Sequence, residues 1–157
     1  MSCDAVAFSA MLWLASTSAE ATPQGAPAPV AAPPSVAGEP LFADIVKRAS
    51  ALKAETEAFE KAPLDGGVKG LHDFSAFETD IGQLSDLDMK GHVTLAARGT
   101  DGDLKCILKG ISQDLPVKLK AVEDAADAKS RLEALKDMDY LLRDNVEVIT
   151  SPPIPTV

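Results

Sequence analysis

The chain has 157 residues, a length typical of one domain, and aromatic residues make up only 4% of it. A core must therefore be built mainly from Leu, Ile, Val, Met and Ala, which suits helices better than strands. The formal net charge of -9 argues against nucleic acid as a main partner, because no basic patch is available to neutralise phosphates, and it disfavours an anionic membrane surface for the same reason.

Residues 1–21 have the pattern of a secretory signal. Residues 5–15 form an apolar run, and Ala19-Glu20-Ala21 supply the small-x-small pattern of a cleavage site. The run is too short to cross a bilayer, which takes ~20 apolar residues. One feature departs from the pattern, because Asp4 and no Lys or Arg precedes the run. Two alternatives stay open: translation starts upstream of Met1, or the segment is an Ala-rich tail of a cytoplasmic protein.

Residues 22–39 are predicted to form a linker. Five of them are proline, at positions 23, 27, 29, 33 and 34, among Ala, Gly and Val. Proline lacks an amide donor and fixes φ, so this stretch cannot propagate a helix or a central strand. We expect a disordered, semi-rigid tether between the signal-like segment and the domain that follows.

Residues 40–150 predict an all-α domain, an up-down four-helix bundle. Pro40 fits the first position of helix one, which should end before Pro63. Helix two should follow a cap at Asp73 and end before Gly99, since glycine is favoured just past a helix end. A turn-rich loop at residues 64–70 connects the two helices.

Helices three and four are predicted from two apolar stripes with helical spacing. Thr100 should cap helix three, and a break is expected at residues 124–127. Residues 145–150 are predicted to be the last helical turns, and residues 151–157 a Pro-rich tail. The stripes recur at three- and four-residue steps and consist of Leu104, Ile107, Leu108, Ile111, Leu115, Leu119 and Val122, then Ala128, Leu132, Leu135, Met138, Leu142, Val146 and Ile149.

Two positions in these stripes and one proline carry specific expectations. Ile111 and Leu135 lie at the stripe centres, so each should be fully buried. Pro116 lies inside helix three and removes the hydrogen bond to the carbonyl of Ser112. A kink or a split is therefore expected there, with Asp114 capping the second segment.

Asp88 and His92 are the one anomaly in helix two. The stripe that begins Phe74, Phe77, Ile81, Leu84 continues at helical pitch through both polar residues. Three interpretations stay open. The helix breaks near Gly91 and exposes both side chains; or the two form a buried, hydrogen-bonded structural pair; or they are half of a metal or proton-transfer site.

Other candidate residues are weaker. Cys106 would be the only cysteine after signal removal, so a partly exposed free thiol is expected, with an intermolecular disulfide as the alternative. The four arginines, Arg48, Arg98, Arg131 and Arg143, share no motif and are expected on the solvated surface rather than in an anion pocket. Glycine-rich phosphate loops and recognisable nucleophile motifs are absent from the sequence.

Three hypotheses for function follow. The first is an exported, non-enzymatic helical module of a bacterial envelope, periplasmic or secreted, that binds a protein partner and needs no cofactor. The second is a small-molecule or metal-binding helical protein that uses Asp88 and His92. The third is an acidic inhibitor or immunity-type protein that masks a basic partner. If residues 1–21 are not a signal, the protein is expected in the cytoplasm.

Overall fold

The computed structural model describes residues 35–99 and 102–151, and these form four helices. Helix α1 is Pro40–Lys61, α2 is Phe74–Arg98, α3 is Gly102–Asp124 and α4 is Ala128–Thr150. A turn of 3-10 helix, Val68–Gly70, lies between α1 and α2. The predictions for residues 1–21, for the cap at Thr100 and for the tail beyond residue 151 lie outside the described residues.

The helices pack as the predicted four-helix bundle. Each helix contacts the next one in the chain, and α4 returns to contact α1. The interfaces of α2 with α3 and of α1 with α4 are the most extensive, and that of α1 with α2 is the least. Helices α2 and α4 are therefore diagonal to each other across the bundle.

The core consists of the predicted apolar stripes. Leu135 is fully buried and Ile111 is 4% exposed, which confirms the prediction for both residues. The α4 helix continues through residue 150, so the prediction of helix over residues 145–150 is also confirmed. The largest side chains that are fully buried come from all four helices and are Phe42, Ile45, Phe77, Ile81, Leu84, Leu95, Leu108, Leu115, Leu135, Met138, Leu142 and Ile149.

The helix ends follow local chemistry, with one correction. Gly99 adopts φ 69° after α2, as a glycine past a helix end should. Asp73 precedes α2 as predicted, but it has a left-handed backbone with φ 55° and its side chain makes no capping hydrogen bond. At the start of α4, Asp127 and Ser130 form a reciprocal capping box, which explains why the chain breaks at residues 124–127.

Of the two outcomes predicted for Pro116, a kink or a split of α3, the split is wrong. The helix runs without interruption from Gly102 to Asp124, and Asp114 caps no second segment. The carbonyl of Ser112, which has lost its helical donor, accepts a hydrogen bond of 2.7 Å from Oγ of Ser85 on α2. A neighbouring helix thus replaces the donor that proline lacks, and the fully buried Leu115 holds this turn in the core.

The described end of the predicted linker packs against the bundle. Val36 is only 6% exposed, and Oγ of Ser35 donates a hydrogen bond of 3.5 Å to the carbonyl of Ile149. Glu39 accepts two hydrogen bonds, of 2.8 and 2.6 Å, from the guanidinium of Arg98. Residues 35–39 therefore belong to the folded unit together with the four helices.

Candidate functional site

Helix α2 continues through Gly91, so the predicted break at this residue is wrong. Gly91 is buried because α2 approaches α1 and α3 closely at this level. A Cβ atom at residue 91 would lie 3.1 Å from Cδ1 of Leu108 and 3.4 Å from Cδ1 of Ile45. The glycine permits this close approach, and the unbroken helix keeps Asp88 directed into the core.

Asp88 pairs with a residue of the diagonal helix. Its Oδ2 accepts a hydrogen bond of 2.7 Å from Nδ2 of Asn145 on α4, and both residues are fully buried. The other side-chain oxygens, Oδ1 of Asp88 and Oδ1 of Asn145, have no hydrogen-bond partner within the described part of the chain. The centre of the bundle thus contains a polar pair that is satisfied on one side only.

Burial changes the acidity of Asp88. Desolvation raises the pKa of this carboxyl to about 8, and the hydrogen bond from Asn145 lowers it by less than burial raises it. The carboxyl therefore favours its neutral form at neutral pH. A neutral carboxylic acid can donate a hydrogen bond as well as accept one.

His92 has a different partner from the one the sequence suggested. It is half-buried, and its Nδ1 donates a hydrogen bond of 2.6 Å to the carbonyl oxygen of Lys105 on α3. Asp88 and His92 share one face of α2, but each makes its own bond to another helix. Among residues 35–99 and 102–151, no three or more His, Cys, Asp or Glu side chains gather as metal ligands would.

Arg131 is buried rather than solvated, which corrects the prediction for this arginine. It is 6% exposed, and its guanidinium donates a hydrogen bond of 3.0 Å to the carbonyl of Leu64 and another to the carbonyl of Ala125. One side chain therefore connects the loop between α1 and α2 to the turn between α3 and α4. This is a structural contact that joins two loops at one end of the bundle.

The other arginines make separate, half-exposed contacts. Arg48 bonds to Asp44 and Gln83, Arg98 bonds to Glu39, and the guanidinium of Arg143 lies 4.8 Å from the ring centroid of Tyr140. In the whole chain Cys106 is half-buried on α3 and is disulfide-bonded. The free thiol was expected of the chain without residues 1–21, for which it stays a prediction.

A cleft of about 400 Å³ lies between the end of α1 and the start of α2. Three alanines line part of its walls, and the contact between α1 and α2 is the least extensive among the neighbouring helix pairs. Beneath it, the rings of Phe59, Phe74 and Phe77 form a cluster with centroids 5.2–5.9 Å apart. The lining residues are Glu55, Ala58, Phe59, Ala62, His72, Asp73 and Ala76. We call this the α1–α2 cleft.

The rim of the α1–α2 cleft is acidic. Burial raises the pKa of Glu55, and the nearby carboxylates of Asp80 and Asp73 raise it further. In the described part of the chain, no Lys or Arg forms an ion pair with any of these three acids. Asp73 has one neighbour of possible positive charge, His72, whose Nδ1 lies 2.9 Å from its carboxylate. The cleft therefore combines apolar walls with carboxylates that form no ion pair with Lys or Arg in the described part of the chain.

Comparisons of the chain with protein-family models, with curated proteins and with solved structures each gave no match. None of the helices in the described ranges has the length and the apolar character that a membrane crossing requires. Neither Asn145 nor the α1–α2 cleft was identified from the sequence.

Proposed function

We propose that this chain is an exported, non-enzymatic helical module that binds a protein partner through the α1–α2 cleft. The observation that carries the proposal is the combination of apolar walls and an acidic rim in one concave surface. Binding sites for protein segments need both features, because apolar burial supplies affinity and charge supplies orientation and specificity.

The cleft fits a basic side chain of the partner. Arg and Lys carry a long aliphatic stem that packs on apolar surface while the cationic head stays near polar groups. In the α1–α2 cleft the stem would lie over Phe59 and the neighbouring alanines, and the head would lie near Glu55 and Asp73. The cation would relieve the repulsion among the carboxylates, which adds to the effect of burial in raising the pKa of Glu55.

Export is supported by the sequence of the N-terminal segment. An apolar run at residues 5–15 precedes the small-x-small pattern that ends at Ala21, and a proline-rich tether follows. The mature N-terminus isolated from cells should therefore be Thr22, as N-terminal sequencing of the envelope fraction would establish. An intact Met1 terminus in the cytosolic fraction would remove export from the proposal.

An inhibitor or immunity-type protein is a second candidate, favoured by the acidic rim. Such a protein masks a basic surface of its target, and the carboxylates at the cleft are complementary to such a surface. The two candidates differ in the effect of binding. An inhibitor abolishes an activity of its partner when the cleft is occupied, whereas an envelope module leaves that activity in place.

Site-specific photocrosslinking in cells tests partner binding directly. The photoreactive residue p-benzoyl-phenylalanine replaces Ala62 in the cleft, and in a control chain it replaces Glu133, which is exposed on α4. We expect an adduct from position 62 whose crosslinked partner peptide contains Arg or Lys. The adduct should disappear in the Glu55→Gln/Asp73→Asn variant.

Two outcomes would contradict the proposal. Equal adducts from positions 62 and 133 would indicate nonspecific proximity, and the absence of an adduct at position 62 would mean that the cleft is not the docking surface. Asparagine is suitable at residue 73 because it tolerates the left-handed backbone that Asp73 adopts, so the variant changes charge with little effect on the fold.

A further inference from the structure

We propose that Asp88 and Asn145 form a proton-dependent latch between α2 and α4, in which a proton on Asp88 gives the pair its second hydrogen bond. The latch is independent of partner binding at the α1–α2 cleft. It concerns the centre of the bundle, where the pair joins two helices that are diagonal to each other.

The two unpartnered oxygens carry this inference. Nδ2 of Asn145 already donates to Oδ2 of Asp88 at 2.7 Å, which leaves Oδ1 of each side chain buried without a partner. With Asp88 ionised, both oxygens are acceptors, and no donor lies between them. A proton on Oδ1 of Asp88 supplies a donor, and Oδ1 of Asn145 is an acceptor on the residue already paired with it.

A carboxylic acid and a primary amide are complementary in this respect. Face to face, each group presents an N–H or O–H donor beside a carbonyl acceptor, so the neutral pair can form two hydrogen bonds in this arrangement. The ionised carboxylate has no donor, which leaves only the bond from Nδ2 of Asn145. Leaving a buried polar atom unpaired has a free-energy cost. Protonation therefore removes both the buried charge and the two unpaired oxygens at once.

Among residues 35–99 and 102–151, no donor takes the place of this proton, since Oδ1 of Asp88 has no hydrogen-bond partner there. One turn along α2, the side chains that approach from α1 and α3 are apolar, namely Phe42, Ile45 and Leu108. His92, one turn further along α2, bonds to the backbone carbonyl of Lys105 on α3 and not to Asp88. Burial and Asn145 alone account for the raised pKa of Asp88.

The direction of the pH dependence follows from linkage. The pKa of Asp88 is raised from 3.8 to about 8 on folding, so between these values the folded chain holds a proton that the unfolded chain has released. The stability that the protonated Asp88 contributes is complete below the unfolded pKa of 3.8 and is lost as pH rises through the folded pKa of about 8. Within this window the unfolding constant should increase about tenfold per pH unit.

Chemical denaturation of the full chain at several pH values between about 5 and 8 tests the latch. The Asp88→Asn variant places an amide donor where the proton would be, so it should fold and lose this pH dependence. The ratio of the wild-type to the Asp88→Asn unfolding constant should rise steeply with pH, toward tenfold per unit. Asp86→Asn is the matched control, because Asp86 is exposed on the same helix, and it should keep the wild-type profile.

Infrared spectroscopy supplies a second measurement that needs no unfolding. The wild type at pH 6 should show the C=O stretching band of a protonated, hydrogen-bonded carboxyl, absent in Asp88→Asn and lost above the pKa of about 8. In Asn145→Leu the band should shift toward that of a carboxyl without a hydrogen bond. A flat stability ratio, no band in the wild type, or a band that Asn145→Leu leaves unmoved would each overturn the latch.

Discussion

Replacing Arg131 by Met should destabilise the bundle strongly, because one buried guanidinium joins two loops. The substitution keeps an apolar stem of similar length and removes the hydrogen bonds to the carbonyls of Leu64 and Ala125. Hydrogen bonds from charged donors contribute about 1.5–3 kcal/mol each. The variant no longer buries a charge, and the desolvation cost that this avoids offsets part of the two lost hydrogen bonds. We therefore expect a net loss of about 2–4 kcal/mol in the free energy of unfolding.

Urea denaturation followed by circular dichroism of the helices measures this loss. Hydrogen exchange of the amides in residues 64–71 should also accelerate in Arg131→Met, since the loop between α1 and α2 loses its tie to α4. The control is Arg143→Met, which removes a half-exposed arginine and should change stability by no more than ~0.5 kcal/mol. If Arg131→Met also lost less than ~0.5 kcal/mol, Arg131 would not be a structural connection between the two loops.

Three further outcomes are expected in the same denaturation assay. Leu135→Ala should cost roughly 2–5 kcal/mol, because Leu135 is fully buried, and a loss below ~1 kcal/mol would mean that its stripe is not core. Gly82→Ala should stabilise the fold by roughly 0.5–1 kcal/mol, since a Cβ atom at residue 82 meets nothing within 4 Å. Gly91→Ala should gain less stability, because its Cβ atom would lie 3.1 Å from Leu108, and equal gains for the two variants would contradict the close approach of the helices at Gly91. The hydrogen bond from the backbone N–H of Ser130 lowers the pKa of the Asp127 carboxyl. The stability that this bond contributes is present above the pKa that Asp127 has in the unfolded chain and is lost as pH falls through the lowered pKa. Asp127→Ala should therefore destabilise more at neutral pH than at about pH 3, and an equal effect at both pH values would contradict the cap.

The spacing of apolar residues was sufficient to predict the bundle. Stripes at three- and four-residue steps define which face of each helix is buried, and Ile111 and Leu135 are buried as the stripes require. Local chemistry alone was less informative. Pro116 leaves α3 intact because Ser85 lies on another helix, and its distance from Ser112 depends on how α2 and α3 pack.

The buried polar residues of α4 could have been recognised from their register. Arg131 lies four positions before Leu135, and Asn145 lies three after Leu142 and four before Ile149, so both continue the apolar stripe. Their partners could not be deduced in the same way. Which residue of α2 meets Asn145 depends on the rotation and the axial shift of two diagonal helices, and sequence spacing specifies neither.

The α1–α2 cleft was also beyond the reach of the sequence. Its walls come from small residues at ordinary helical positions, and Ala58, Ala62 and Ala76 would serve equally well in a closed interface. The space exists because α1 and α2 have a less extensive contact than the other neighbouring helices. Only the packing of the whole bundle determines where such a space remains.

The most direct test of partner binding is the affinity of the protein captured at residue 62, measured with purified components. We predict that the Glu55→Gln/Asp73→Asn variant binds at least about tenfold more weakly than the wild type, a difference of ~1.4 kcal/mol, and that raised salt narrows the difference. Glu133→Gln, which removes one exposed charge on α4, should leave the affinity unchanged. Equal affinities for the wild type and the Glu55→Gln/Asp73→Asn variant would contradict the proposed function of the cleft.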